Sequence, residues 1–246
     1  MRNDKILITL GLGAALSLGG LGCNEDGTNG SDLPPDLRPA DVTTPETPTY
    51  PAGPYNVQTG DVISDFTFKG LANPKLASGE LGPIHLSDFY NPHADDASYA
   101  PADPSVDDRL FPAGSPYGAG NPKPKALAID IGAIWCGPCN YEAKTELPPR
   151  HAKYLPLGGE FLFQLADGAT QGVAATPKDL TNWNKKYKVD YPSTIDEDKQ
   201  LSALFDANAY PANMIIDLRT MRIVAVVAGV PDESYWIKFE ATIAGK

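Results

Sequence analysis

A chain of 246 residues fits one domain with accessories, or two small domains. It is acidic, with 31 Asp and Glu against 20 Lys and Arg, and it has no basic stripe, which argues against a nucleic-acid partner. Three cysteines are too few for a disulfide framework, and three histidines without finger-like spacing argue against a structural zinc site.

The first 22 residues read as an export signal. Arg2 and Lys5 give a positive start, and residues 6–18 form an apolar core that is short for a membrane span. Small residues then lead to Gly20-Leu21-Gly22-Cys23, which resembles a bacterial lipobox with Gly20 where Leu is usual. That resemblance implies a lipid on Cys23 as the mature N-terminus; ordinary secretion and a free structural cysteine are the alternatives. Residues 23–56 carry seven prolines and little hydrophobicity, so they read as a disordered tether, a plain linker without a recognition role. The stretches 24–56 and 91–124 hold net charges of −5 and −3, so most of the overall −11 lies outside the candidate core.

A folded domain is expected over 57–246, beginning near Tyr55. Residues 62–69 and 84–89 are short strand candidates, with a brief helical turn at Ser87-Asp88. Residues 91–124, with seven prolines, read as an inserted loop. Asp103, Asp107 and Asp108 match no calcium-loop spacing. A solvated loop is the plain reading and a substrate-filtering flap the other. Residues 127–134 form an almost unbroken apolar run, as in a strand buried on both faces. It hands over at Trp135-Cys136-Gly137-Pro138-Cys139 to a helix that Pro148 and Pro149 should stop or kink near Glu146. Residues 161–166 form the next strand, Thr176-Pro177 opens a helix to about Tyr187, and 191–194 form a short strand. A short helix over 199–206, a strand pair at 212–217 and 223–228, and a helix over 232–243 complete the pattern. His85, His93 and His151 read as surface or loop residues.

The chemistry concentrates at the pentad. Unpaired N–H groups at a helix start favour negative charge, so a Cys136 thiolate is stabilised there, and Cys139 is close enough to close a small disulfide ring with it. Asp130 lies inside the apolar run. An ionised carboxylate there costs several kcal/mol unless satisfied, so its pKa should rise; the alternative is an Asp at the strand's exposed end.

The pentad resembles the active site of the thioredoxin superfamily. Glu142, three residues after Cys139, extends it to the WCxPCxxE pattern of membrane-tethered reductases of the TlpA/ResA type. Tyr210-Pro211 before Met214-Ile215-Ile216-Asp217 is similar to the superfamily's cis-proline and its strand. Segments 60–66 and 84–89 resemble the N-terminal extension shared by TlpA-like and AhpC/TSA-like proteins. A peroxiredoxin PxxxTxxC context and a copper-delivery CxxxC are both missing.

The resemblance implies an α/β, thioredoxin-like fold: a central mixed sheet flanked by helices, with an N-terminal extension and a loop insertion. It implies Cys136 as nucleophile, Cys139 as resolving thiol and Asp130 as general base. Trp135, Gly137, Pro138, Tyr210 and Pro211 would contact substrate. Glu142 is either a tuning acid or a solvated first-turn residue. No metal and no cofactor beyond the Cys136–Cys139 disulfide are implied. The expected partners are protein disulfides, a membrane thiol donor, and the bilayer through Cys23, at the cell envelope facing the periplasm or exterior. Cytochrome c maturation or disulfide repair is the implied setting. A client-binding module without turnover and a net oxidant are the rival readings.

Overall fold

The computed structural model describes residues 48–75, 80–101, 103, 106–205 and 209–246. The export signal, Cys23 and most of the expected tether lie outside the described residues. Packing begins earlier than Tyr55: Tyr50 donates its hydroxyl to the Ile63 carbonyl at 2.8 Å and sets its ring 5.9 Å from that of Tyr90.

Among the described residues, seven strands form one sheet in the order β2-β1-β5-β4-β3-β6-β7. They are β1 (Thr67–Leu71), β2 (Gly82–His85), β3 (Ala126–Ala133), β4 (Gly159–Asp167), β5 (Ser193–Ile195), β6 (Ala212–Asp217) and β7 (Arg222–Ala228). The apolar run of β3 explains its place. All eight residues are buried, between parallel β4 and antiparallel β6. β4 is also parallel to β5, and the remaining pairs are antiparallel, so the sheet is mixed.

Helices follow the strands as their sequences dictate. Thr176 caps α3 (Pro177–Tyr187) in a capping box with Asp179, and Asp232 caps α4 (Glu233–Ile243). The helix after the pentad runs further than its prolines suggest. It starts as α1 (Gly137–Tyr141), widens into a π-turn over Glu142–Glu146, and resumes as α2 (Leu147–Tyr154) with Pro148 and Pro149 in its first turn. Leu147 N–H reaches back five residues to the Glu142 carbonyl. A new helical start at α2 places the prolines where their missing N–H groups are tolerated. Of the expected helix over 199–206, the described residues 199–205 form a single 3-10 turn, Ser202–Leu204. Its preceding N–H groups are taken by Asp196, whose carboxylate caps Gln200, Leu201 and Ser202.

Phe161 and Phe163 of β4 stand on the same sheet face as their β3 partners Ala128 and Asp130. Helices cover that face through aromatic contacts. Tyr154 of α2 packs on Trp236 and Phe239 of α4, Phe161 meets Trp236, and Trp183 of α3 lies flat on Phe163. His151 is no surface residue. It is buried in α2, with Nδ1 3.1 Å from Asp190 and Nε2 2.9 Å from Glu160.

Among its described residues, the 91–124 insertion holds no α-helix or strand, yet it is packed. Phe111 and Tyr117 close on Phe89, His93 pairs with Asp108, and Arg109 pairs with Asp107. It joins the sheet at Lys125, one residue before β3, whereas the pentad follows the other end of that strand. An eight-residue strand separates the two points by roughly 25 Å. The flap reading therefore gives way to a buttress at the far end of the sheet. Arg219 ties this end together: it pairs with Asp95 and Asp217 and donates to the Lys125, Thr242 and Ile243 carbonyls, the last two closing the end of α4.

Arg219→Ala should lower the unfolding free energy by about 1–2 kcal/mol, because it removes one partner each from Asp95 and Asp217 and the side-chain donor to three carbonyls at once. Lys69→Ala, which breaks the exposed pair with Glu197, should leave stability nearly unchanged. Urea unfolding of the two variants checks the contrast.

Candidate functional site

Cys136 occupies the N-cap of α1 with extended backbone (φ −79°, ψ 110°). Its Sγ accepts the Cys139 N–H at 3.1 Å, and the two cysteines are joined in a disulfide with Cα atoms 5.3 Å apart. They are only 2 % and 1 % exposed, while Gly137 and Pro138 beside them are open to solvent. Gly132, near the end of β3, makes this seating possible. A Cβ there would lie 3.3 Å from Cys139 Cβ and 3.2 Å from Phe163, tighter than ordinary packing.

Asp130 lies two residues before Gly132, on the same face of β3, and is 5 % exposed. Glu142 comes down from the π-turn and is fully buried. Among the described residues no donor completes a hydrogen bond to any of the four carboxyl oxygens. Burial pushes Asp130 up to about 7. Burial, then the neighbouring Asp130, push Glu142 up to about 10. Asn213, which faces Asp130 across the β3–β6 ladder, draws Glu142 down a little. The buried Tyr235 hydroxyl of α4 is raised by burial and then by these two acids. The Asp at an exposed strand end and the solvated first-turn Glu are thus both overturned. The two carboxyls titrate as a unit, and burial together with their mutual repulsion holds at least one proton on the pair, on the face where Cys139 sits. That arrangement can accept one proton from a thiol.

Trp135 is half-buried, its ring centroid 6.1 Å from that of Tyr210. The Tyr210-Pro211 bond is cis, and Ala212 pairs with Ile131, so β6 delivers this dipeptide beside the pentad. Two nearby residues carried no sequence signal of a role. Asp167, at the end of β4, accepts from Trp135 Nε1 at 3.1 Å and from Gly172 N–H at 2.8 Å, and pairs with Lys199. Burial pushes Asp167 up, but Lys199 and these donors outweigh it and hold the group below the usual carboxylate range. Asn140 bonds to carbonyls on both sides of Trp135. An Asp closing an apolar strand was the only hint of the first; the second has no pattern to find it by. No cluster able to hold a metal ion occurs among the described residues.

No family model matches the chain. Over 112 residues, 46% of this chain and 58% of the relative, it is 27% identical to the thiol-disulfide oxidoreductase ResA of Bacillus subtilis (strain 168). The matched region is thus less than two thirds of that relative's length. Among solved structures, it is similar to an uncharacterized conserved protein from Geobacillus kaustophilus (TM-score 0.51, 15% identity, 81% of this chain and 89% of that one). It is also similar to a secreted thiol-disulfide isomerase from Corynebacterium glutamicum (TM-score 0.50, 16% identity, 82% and 95%). At these identities the structural likeness concerns the fold.

The buried acids carry a stability signature. Unfolded, Asp130 and Glu142 release their protons near pH 4; folded, they hold them to higher pH. Folding therefore binds protons, and stability falls as pH rises from about 4 toward 7 for Asp130 and toward 10 for Glu142. Glu142→Gln should be more stable than wild type at pH 8 by roughly 1–3 kcal/mol, with little difference at pH 4.5. Denaturant titrations at the two pH values measure this.

Proposed function

We propose that this chain, a member of the thioredoxin superfamily, is an extracytoplasmic thiol-disulfide oxidoreductase that reduces protein disulfides through Cys136 and Cys139. The observation that carries the reading is the cysteine pair closed at a helix start, with a buried pair of carboxyls of raised pKa on the same side of the sheet. The similarity to ResA supports it.

In the reduced protein, the Cys136 thiolate attacks one sulfur of a client disulfide. An S–S bond forms to Cys136 and the first client sulfur leaves as thiolate. Asp130, in its ionised fraction, takes the Cys139 proton, directly or through water. The Cys139 thiolate then attacks Cys136 Sγ, releasing the second client sulfur. The closed pair seen here is the product of that cycle, and two electrons from a thiol donor must reopen it. The proton that the Asp130–Glu142 pair retains spares the ionised carboxyl a second negative charge beside it.

Client binding would use the cis-proline edge. Among the described residues, the Tyr210 backbone N–H and C=O have no partner, while the Pro211 carbonyl is taken by Gly229. An extended chain adding to Tyr210 would lie beside Trp135 and the exposed Gly137-Pro138. A membrane thiol donor, a lipid on Cys23 and a place in cytochrome c maturation or disulfide repair complete the proposal. They rest on the sequence, since Cys23 lies outside the described residues.

Insulin reduction with a chemical reductant tests the activity. Turnover should disappear in Cys136→Ser, and Cys139→Ser should accumulate mixed disulfides on Cys136. Asp130→Asn should slow resolution at pH 7 by about tenfold or more and remove the rate inflection near that pH. Wild-type protein that gives no turnover sinks the reading. Labelled fatty acid should appear on wild type and be lost in Cys23→Ser.

A further inference from the structure

Asn140, the residue after Cys139, is engaged by four groups. Its Nδ2 donates to the Cys136 carbonyl at 2.6 Å and to the Ile134 carbonyl at 3.0 Å. Its Oδ1 accepts from the Tyr187 hydroxyl and from Lys186 Nζ at 3.1 Å, both in the last turn of α3. Two carbonyls on one side and two donors on the other leave one possible orientation for the amide. The anchor is itself braced. Tyr187 is buried edge-on against Trp183, 4.6 Å between centroids, and Trp183 lies flat on Phe163, which closes on Gly132 beneath Cys139.

We propose that Asn140 is a positioning residue for the cysteine pair, gripped from α3 by Tyr187 and Lys186 so that Cys136 is held ready as a thiolate. The inference rests on the dithiol reading above. While the disulfide is closed, the ring itself fixes the two sulfurs. Once it opens, that link is gone, and the Asn140 amide still ties down the backbone on both sides of Trp135. Cys136 Sγ then stays where the Cys139 N–H can donate to it. Lys186 adds a cation one hydrogen bond from the same amide, favouring the thiolate over the thiol. Whatever stabilises the thiolate stabilises the reduced pair, so losing the grip should favour the disulfide. The other ionisable groups around the pentad keep their places in the variants below: Asp130 on β3, Glu142 in the π-turn, and Asp167 with Lys199.

The test compares full-length wild type with Asn140→Ala, Tyr187→Phe, Lys186→Gln and Lys186→Arg. Two readouts are used: the glutathione redox equilibrium and the pH midpoint of Cys136 alkylation by iodoacetamide. Asn140→Ala and Tyr187→Phe should shift the equilibrium threefold or more toward the disulfide, a potential about 14 mV more negative. They should also move the alkylation midpoint upward. Lys186→Gln should shift both in the same direction, and Lys186→Arg should stay at wild-type values. A merely scaffolding role would lower the melting temperature and leave both readouts unchanged, which overturns the proposal even if Asn140→Ala fails to fold, because Tyr187→Phe removes a single hydroxyl. A wild-type protein without a reversible dithiol couple would overturn the parent reading and this one together. An intact couple with unaltered variants overturns this one alone.

Discussion

The structure depends on a strand that is buried along its whole length. Every residue of β3 is buried, and both its edges are hydrogen-bonded, to β4 and to β6. A slip by one residue would turn every side chain to the opposite face, carrying Asp130 and Gly132 away from the cysteines. Whatever follows its last residue is therefore placed with the precision of the core. The pentad follows it. The neighbours are placed by the same ladders: Asn213 opposite Asp130, Phe163 beside it, and Ala212 opposite Ile131, which delivers the cis-proline.

Burying a carboxyl in that strand has a consequence for the surrounding packing. Asp130 has no hydrogen-bond donor among the described residues, and Glu142 beside it has only Asn213 nearby, outside full hydrogen-bonding geometry. A domain built only for stability would place donors there or use apolar side chains. The arrangement instead raises the pKa of two acids against the aromatic face formed by α2, α3 and α4. By contrast, the nearby Asp167 receives Lys199 and two further donors and is held below the usual carboxylate range. The carboxyls around the pentad are thus pushed in opposite directions by what each can hydrogen-bond to.

Much of this was legible in the amino-acid order. The unbroken apolar run of β3, the Thr176-Pro177 helix start and the 212–217 strand are local signals, each strong enough to fix an element to within a residue or two. The pentad's place at a strand-to-helix handover followed from the same run. What escaped was decided by distant partners. His151 looks like a surface residue until Glu160 and Asp190 meet it in space. The 199–206 segment has a helical face, but Asp196 takes its N–H groups. The insertion, rich in proline, reads as solvated because nothing local reveals that Phe111 and Tyr117 find Phe89. Asn140 is one polar residue among many until α3 folds onto it.

The widened turn at Glu142–Glu146 has a further meaning. Cys139, Ala143 and Leu147 follow one inward-facing line down the helix, and His151 and Tyr154 continue it. Glu142, three residues after Cys139, shares that cysteine's side of a regular helix but lies about 100° from Ala143 and about 140° from Leu147. The extra residue in the turn relaxes this geometry, so that one continuous rod shows a carboxyl to the sulfur chemistry at its top and an unbroken aromatic seam to the sheet below. Shortening the rod by a single residue at this point would force it to choose between the two.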